Sequence, residues 1–166
     1  MLKSKKGVTI TIVVLIAITI ASFSVWQIPD NPKMTIVVTN FDSHLEGIDA
    51  RHEIITSAVD SSLLKMTNGD ITPEELISIA EISSSQINSQ IIELIESDAP
   101  EEWQESYLNY LESLRSSNSY IREVIVLSNL QIDGSTNDEI TNILQKIEKF
   151  QKESREFAKL SDQFKP

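Results

Sequence analysis

The stretch Thr72-Pro73-Glu74-Glu75-Leu76-Ile77-Ser78-Ile79-Ala80 decides the fold. Thr72 is of the type that caps a helix N-terminus, and Pro73 suits the first helical position, where no amide partner is needed. Glu75 stands where its carboxylate reaches back to the capping residue, which completes a capping box. From there Leu76, Ala80, Ser83 or Ser84, Ile87, Ile91 and Leu94 recur at helical steps. The Ser83-Ser84-Ser85 run is the weak point of this helix, because serine competes for backbone hydrogen bonds.

Reading backward, Asn68-Gly69 ends an earlier helix, glycine being suited to a left-handed cap. Its stripe is Leu45, Ile48, His52, Ile55, Val59, Leu63 and Met66. Asn31-Pro32 reads as one start for it, and Asp42-Ser43 as a later one. Val37 and Phe41 continue the stripe backward and favour the earlier start. The Thr35–Thr39 run has strand propensity but no second strand to pair with.

Reading forward, Asp98-Ala99-Pro100-Glu101-Glu102 opens a third helix, with acidic residues at the positive end of its dipole. Trp103, Tyr107, Tyr110, Leu111, Leu114, Ile121 and Ile125 run along it until Asp133-Gly134. A fourth helix starts near Asn137. Ile140, Ile143, Ile147, Phe150, Ser154 and Phe157 step three and four residues apart, a heptad stripe. The joins near residues 67–72, 97–100 and 131–136 are short, and short joins make antiparallel neighbours. The expectation is an all-α protein: a single N-terminal transmembrane helix followed by an up-down-up-down antiparallel four-helix bundle.

The transmembrane expectation rests on residues 7–28. No charged residue occurs from Gly7 to Pro29. Val8 to Trp26 as a helix is about 28 Å long, close to the ~30 Å hydrocarbon layer. Lys3, Lys5 and Lys6 precede it, which places residues 1–6 in the cytoplasm and the rest outside. Ser22 and Ser24 could mark a signal-peptidase site. The long apolar run and bulky Phe23 and Trp26 argue instead for an uncleaved signal-anchor. Residues 29–40 then form a linker or the start of the first bundle helix, and residues 41–166 the extracytoplasmic bundle.

Charge narrows the partners. The chain has 166 residues and a net charge of −11, and its 25 acidic residues all follow the apolar stretch. Such a domain repels phosphate backbones, so no nucleic-acid partner is expected. There is no cysteine, which removes disulfides, thiolate metal sites and cysteine nucleophiles. Residues 41–114 hold 16 acidic residues against Arg51 and Lys65, whereas the last helix carries Lys146, Lys149, Lys152, Arg155 and Lys159.

His44 and His52 are the only histidines, and eight residues on one helix separate their directions by about 80°. Asp49 and His52 make one Asp-x-x-His. A dinuclear bundle site needs such a motif on two helices, and the second is absent, so neither a metal nor another cofactor is expected. By helix height His52 meets Ser84 or Asn88, Tyr107 or Tyr110, and Ser154. His52, Asn88, Tyr110 and Ser154 are thus the candidate polar layer, which sets helix register or lines a small ligand pocket. Trp103, Tyr107 and Tyr110 cluster on about two turns, as core aromatics do. No phosphate loop, nucleophile elbow, zincin or calcium-loop motif occurs. The reading is a non-enzymatic, membrane-anchored extracytoplasmic domain that binds a partner protein or a small ligand. The alternative is an envelope spacer or self-associating scaffold.

Overall fold

Asn40 begins the first helix. Its side chain accepts a hydrogen bond from the amide of Ser43 at 3.0 Å, satisfying one of the amides a helix start leaves open. The computed structural model describes residues 37–166. The 7–28 stretch and the Asn31-Pro32 start lie outside them. Helix α1 is Phe41–Asn68, α2 Pro73–Glu96, α3 Glu101–Asp133 and α4 Asn137–Gln163. No strand occurs among the described residues, and no helix there is long and apolar enough to cross a membrane. Val37 is 85% exposed and precedes the helix, so the α1 stripe begins at Phe41 and does not extend back to Val37.

The expected capping box of Thr72 with Glu75 is made on α2, and a second, Thr136 with Glu139, opens α4. The two C-terminal glycines take the left-handed conformation, Gly69 at φ 80° and Gly134 at φ 68°. The amide after each reaches back to close the last turn, Asp70 to the Lys65 carbonyl and Ser135 to that of Leu130.

Side-chain pairs show how the helices run. Arg51 near the start of α1 meets Glu93 near the end of α2. Ser106 near the start of α3 meets Ser161 near the end of α4. Tyr107 bonds the carbonyl of Phe41, and Ser128 touches Met66, so α1 and α3 run the same way. Helix α3 is the spine and packs on all three others, whereas no Cα of α1 comes within 8 Å of α4.

The core consists of Leu45, Ile48, Ile55, Val59 and Met66 from α1, Leu76, Ala80, Ile87 and Leu94 from α2, and Ile143 and Ile147 from α4, wrapped around α3. Each of these side chains larger than alanine contributes about 1.5–3 kcal/mol when fully buried. All four stripes shift in places from their expected course: α1 buries Ser62 with Leu63 half-buried, and α3 buries Val124 with Ile125 half-buried. On α2 the inner residue is Gln90, with Ile91 half-buried. On α4 the buried line runs Ile147, Ser154, Ser161, with Ala158 packed on the core and Phe157 off it. The seam between α3 and α4 is made by serine pairs, Ser106 with Ser161 and Ser113 and Ser117 with Ser154, and Phe157 lies beside that line.

Candidate functional site

Because α1 and α4 both rest on α3 without meeting, a slot runs between them. It encloses about 260 Å³ and is lined by Asp49, His52, Glu53, Thr56 and Asp60 of α1, Ser113, Ser117 and Tyr120 of α3, and Gln151, Ser154, Arg155 and Ala158 of α4. The floor is buried: Ser113 is 0% exposed, Ser117 2%, Ser154 6% and His52 7%. Asp49, Glu53, Asp60 and Arg155 form the exposed rim.

Hydrogen bonds order the floor into one chain. Tyr110 Oη donates to Asp49 Oδ1 at 2.7 Å, so toward His52 it can only accept. His52 Nδ1, 3.0 Å away, therefore carries the proton. His52 Nε2 accepts from Ser117 Oγ at 2.6 Å. Ser117 lies 2.8 Å from Ser154, and Ser154 lies 3.1 Å from Ser113. With the Ser117 proton given to His52, Ser154 donates to Ser117 and Ser113 to Ser154. Every proton on the floor thus points toward Asp49. The imidazole stays neutral: burial lowers the His52 pKa to about 4, with Asp49 opposing the shift. Burial, reinforced by the bond to Asp49, raises the Tyr110 phenol far above its ordinary value.

A second acceptor closes the other end of the slot. Asp60 Oδ1 accepts from Tyr120 Oη and from Gln151 Nε2, the latter at 2.9 Å, which joins all three walls. Burial and the Asp60 bond push the Tyr120 phenol strongly upward.

Three of the four residues of the expected layer come together here. His52, Tyr110 and Ser154 are linked through Ser117. Asn88 is elsewhere, exposed on the α2–α3 seam, where its side-chain oxygen accepts from Asn118 Nδ2 at 2.9 Å. Ser84 donates to the same Asn118 at 2.6 Å. Tyr107 pairs with His44 instead: it accepts from His44 Nδ1 at 2.9 Å and donates to the Phe41 carbonyl. Burial raises the Tyr107 phenol to about 12, with Asp42 and Glu93 adding to the shift. Glu93 lies 3.2 Å from His44 Nε2, but out of hydrogen-bond alignment, and is gripped by Arg51 at 2.8 Å through both its oxygens.

The sequence pattern did not single out Ser113, Ser117, Tyr120 or Gln151. A signal for the serines was present: Ser106 and Ser113 on α3, and Ser154 and Ser161 on α4, are each seven residues apart and bond across the seam. Of the basic residues on the last helix, Lys146 lies 3.8 Å from Glu123 of α3. Lys149 and Lys152 pair with Glu153 and Glu156 one turn on.

Ser117, His52 and the Tyr110–Asp49 pair have the order of a nucleophile, a base and its orienting groups. Ser117 sits mid-helix, where neighbouring amides are committed to the helix, so the backbone offers no oxyanion donors. Among the described residues, no group of three or more His, Asp or Glu side chains is placed to hold a metal ion. Comparison with family models, with characterised proteins and with solved structures finds no match.

Proposed function

We propose that this chain is a membrane-anchored extracytoplasmic domain that binds a small polar ligand and performs no chemistry on it. The observation carrying the binding role is the slot: an open cavity with a buried, fully hydrogen-bonded polar floor between two helices whose backbones do not pack on each other. A polar layer that served only to set register would be closed by its own walls. A base held near pKa 4 and a serine without oxyanion donors argue against catalysis. The uncharged residues 7–28, preceded by three lysines, support the anchor and its orientation.

Native mass spectrometry of the full-length chain, released from membranes in mild detergent, tests the binding role. The wild type should retain a small molecule that the slot-filling variant Thr56→Phe does not. Identical masses after subtracting the substitution count against the reading. A protease tests the anchor: the helical domain should be cut from the outer face and protected from the cytoplasmic one. Acidic replacement of Lys3, Lys5 and Lys6 should weaken or invert insertion.

One observation favours a second reading, self-association. A groove of about 460 Å³ follows the α1–α2 seam between Ile54, Ile55 and Ala58 on one side and Ser83, Gln86 and Gln90 on the other. Ile54 is 71% exposed, and Ile82, one turn before Gln86, is 59% exposed. Sedimentation of the full-length chain in detergent separates the readings, since a concentration-independent monomer excludes self-association.

A further inference from the structure

The slot has a direction and a charge, and together they specify a ligand. At roughly 30 Å³ per water, 260 Å³ holds the equivalent of about nine waters, so the ligand is small. The floor protons are already committed, running from Ser113 to Asp49 through His52 and Tyr110. Thr56 gives its proton to the His52 carbonyl, and Tyr120 and Gln151 give theirs to Asp60. The buried floor, His52 with Ser113, Ser117 and Ser154, therefore presents only lone pairs to the cavity, and a ligand resting on it must bring the donors.

The rim supplies the charge. Asp49, Glu53 and Asp60 fall on one line of α1, with Glu53 about 6 Å and Asp60 about 16 Å along the axis from Asp49. Arg155 stands on the opposite wall, and none of these four residues enters an ion pair among the described residues. Three carboxylates in a row, over a floor that only accepts, match a thin chain with ammonium groups spaced several ångströms apart.

We propose that the slot takes a linear aliphatic polyamine laid along α1. This rests on the reading of the slot as a binding site. The ammonium groups sit at Asp49, Glu53 and Asp60, and the alkyl links lie against Ala158 and the Thr56 methyl. Arg155 is then an opposing charge that weakens binding, which gives the proposal a sign that a general attraction of cations to an acidic protein does not share.

Calorimetric titration of the full-length chain at low salt with spermine, whose extended length matches the Asp49-to-Asp60 span, is the test. The wild type should bind one equivalent. Glu53→Gln should weaken binding about threefold to fivefold, and Arg155→Gln should strengthen it by a similar factor, as expected for single exposed charge pairs. Thr56→Phe should weaken it at least about tenfold, since a blocked site forfeits more than one contact. Weaker binding by Arg155→Gln, or no change on Glu53→Gln and Thr56→Phe, overturns the proposal. Succinate and 1,4-butanediol separate the two levels. If either binds in a Thr56→Phe-sensitive way while spermine does not, the slot is a binding site and the ligand class is wrong. If none of the three binds, both readings fall.

Discussion

Lowering the pH attacks the slot at one atom. The folded-state pKa of His52 is about 4 against an ordinary 6.5, so as pH falls the unfolded chain takes up this proton first. Stability is therefore whole above pH 6.5, is lost as pH falls from 6.5 toward 4, and flattens below 4. Linkage for that shift gives a loss of about 1.4 kcal/mol at pH 5.5 and about 2.5 kcal/mol at pH 4.5. Against a typical total of 5–15 kcal/mol this is a visible share. Urea melts of the full-length chain, followed by helical circular dichroism between pH 7.5 and 4.5, measure it. Other groups titrate in this range as well, so the quantity that matters is the difference from His52→Gln. Glutamine can donate to Tyr110 and accept from Ser117 without titrating. The variant should be less stable than wild type at pH 7.5, and the gap should shrink by about 2.5 kcal/mol at pH 4.5. A gap that stays constant with pH would mean that His52 is not held neutral by burial, and the inferred proton direction along the slot floor would fail with it.

Packing of the last helix predicts that Ile147→Ala costs about 2–5 kcal/mol, whereas Phe157→Ala, off the core, costs about 1 kcal/mol or less. Equal losses in denaturant melts would contradict the α4 orientation described. Tyr120→Phe removes a hydroxyl bonded to Asp60 from a ring that is 1% exposed, and should lower stability by about 1.5 kcal/mol in the same melts. Thr72→Ala should cost about 1 kcal/mol through loss of the α2 cap, seen as a lower urea midpoint with an unchanged slope. Lys152→Ala, on the exposed face of α4, should change stability by no more than about 0.5 kcal/mol in the same melts.

Helix positions were legible because their signals are local. A cap at Thr72, a glycine at 69 and another at 134 act through the backbone of a single turn, and all three stand where the chain turns. The role of α3 was less legible. Its apolar residues suggested one buried face, yet Ser106, Ser113, Ser117 and Ser128 are buried as well. Hydrophobic periodicity cannot register serine, whose burial depends on a partner hydroxyl on another helix. The same blindness placed Phe157 in the core, since a heptad scores phenylalanine above the smaller Ala158. Helix-height reasoning brought His52 level with Tyr110 and Ser154. It could not tell which side of α3 a residue occupies, and so grouped Asn88 with them although it lies on the α2 side.

The lack of backbone packing between α1 and α4 also bears on how the chain folds. In a closed four-helix ring the first and last helices meet, and that interface joins the residues most remote in sequence. Here the packing is made mostly by helices that follow one another, so sequence separation across contacts is small. Chains with such local topology fold in microseconds to milliseconds, because little loop entropy is lost before contacts form. The long-range ties that do span the gap are single side-chain bonds, Asp60 to Gln151 and Asp42 to Lys165. A molecule seated in the slot would add the closure that the helices leave out. It would act chiefly on unfolding, by adding to the single Asp60–Gln151 bond that ties the last helix to the first.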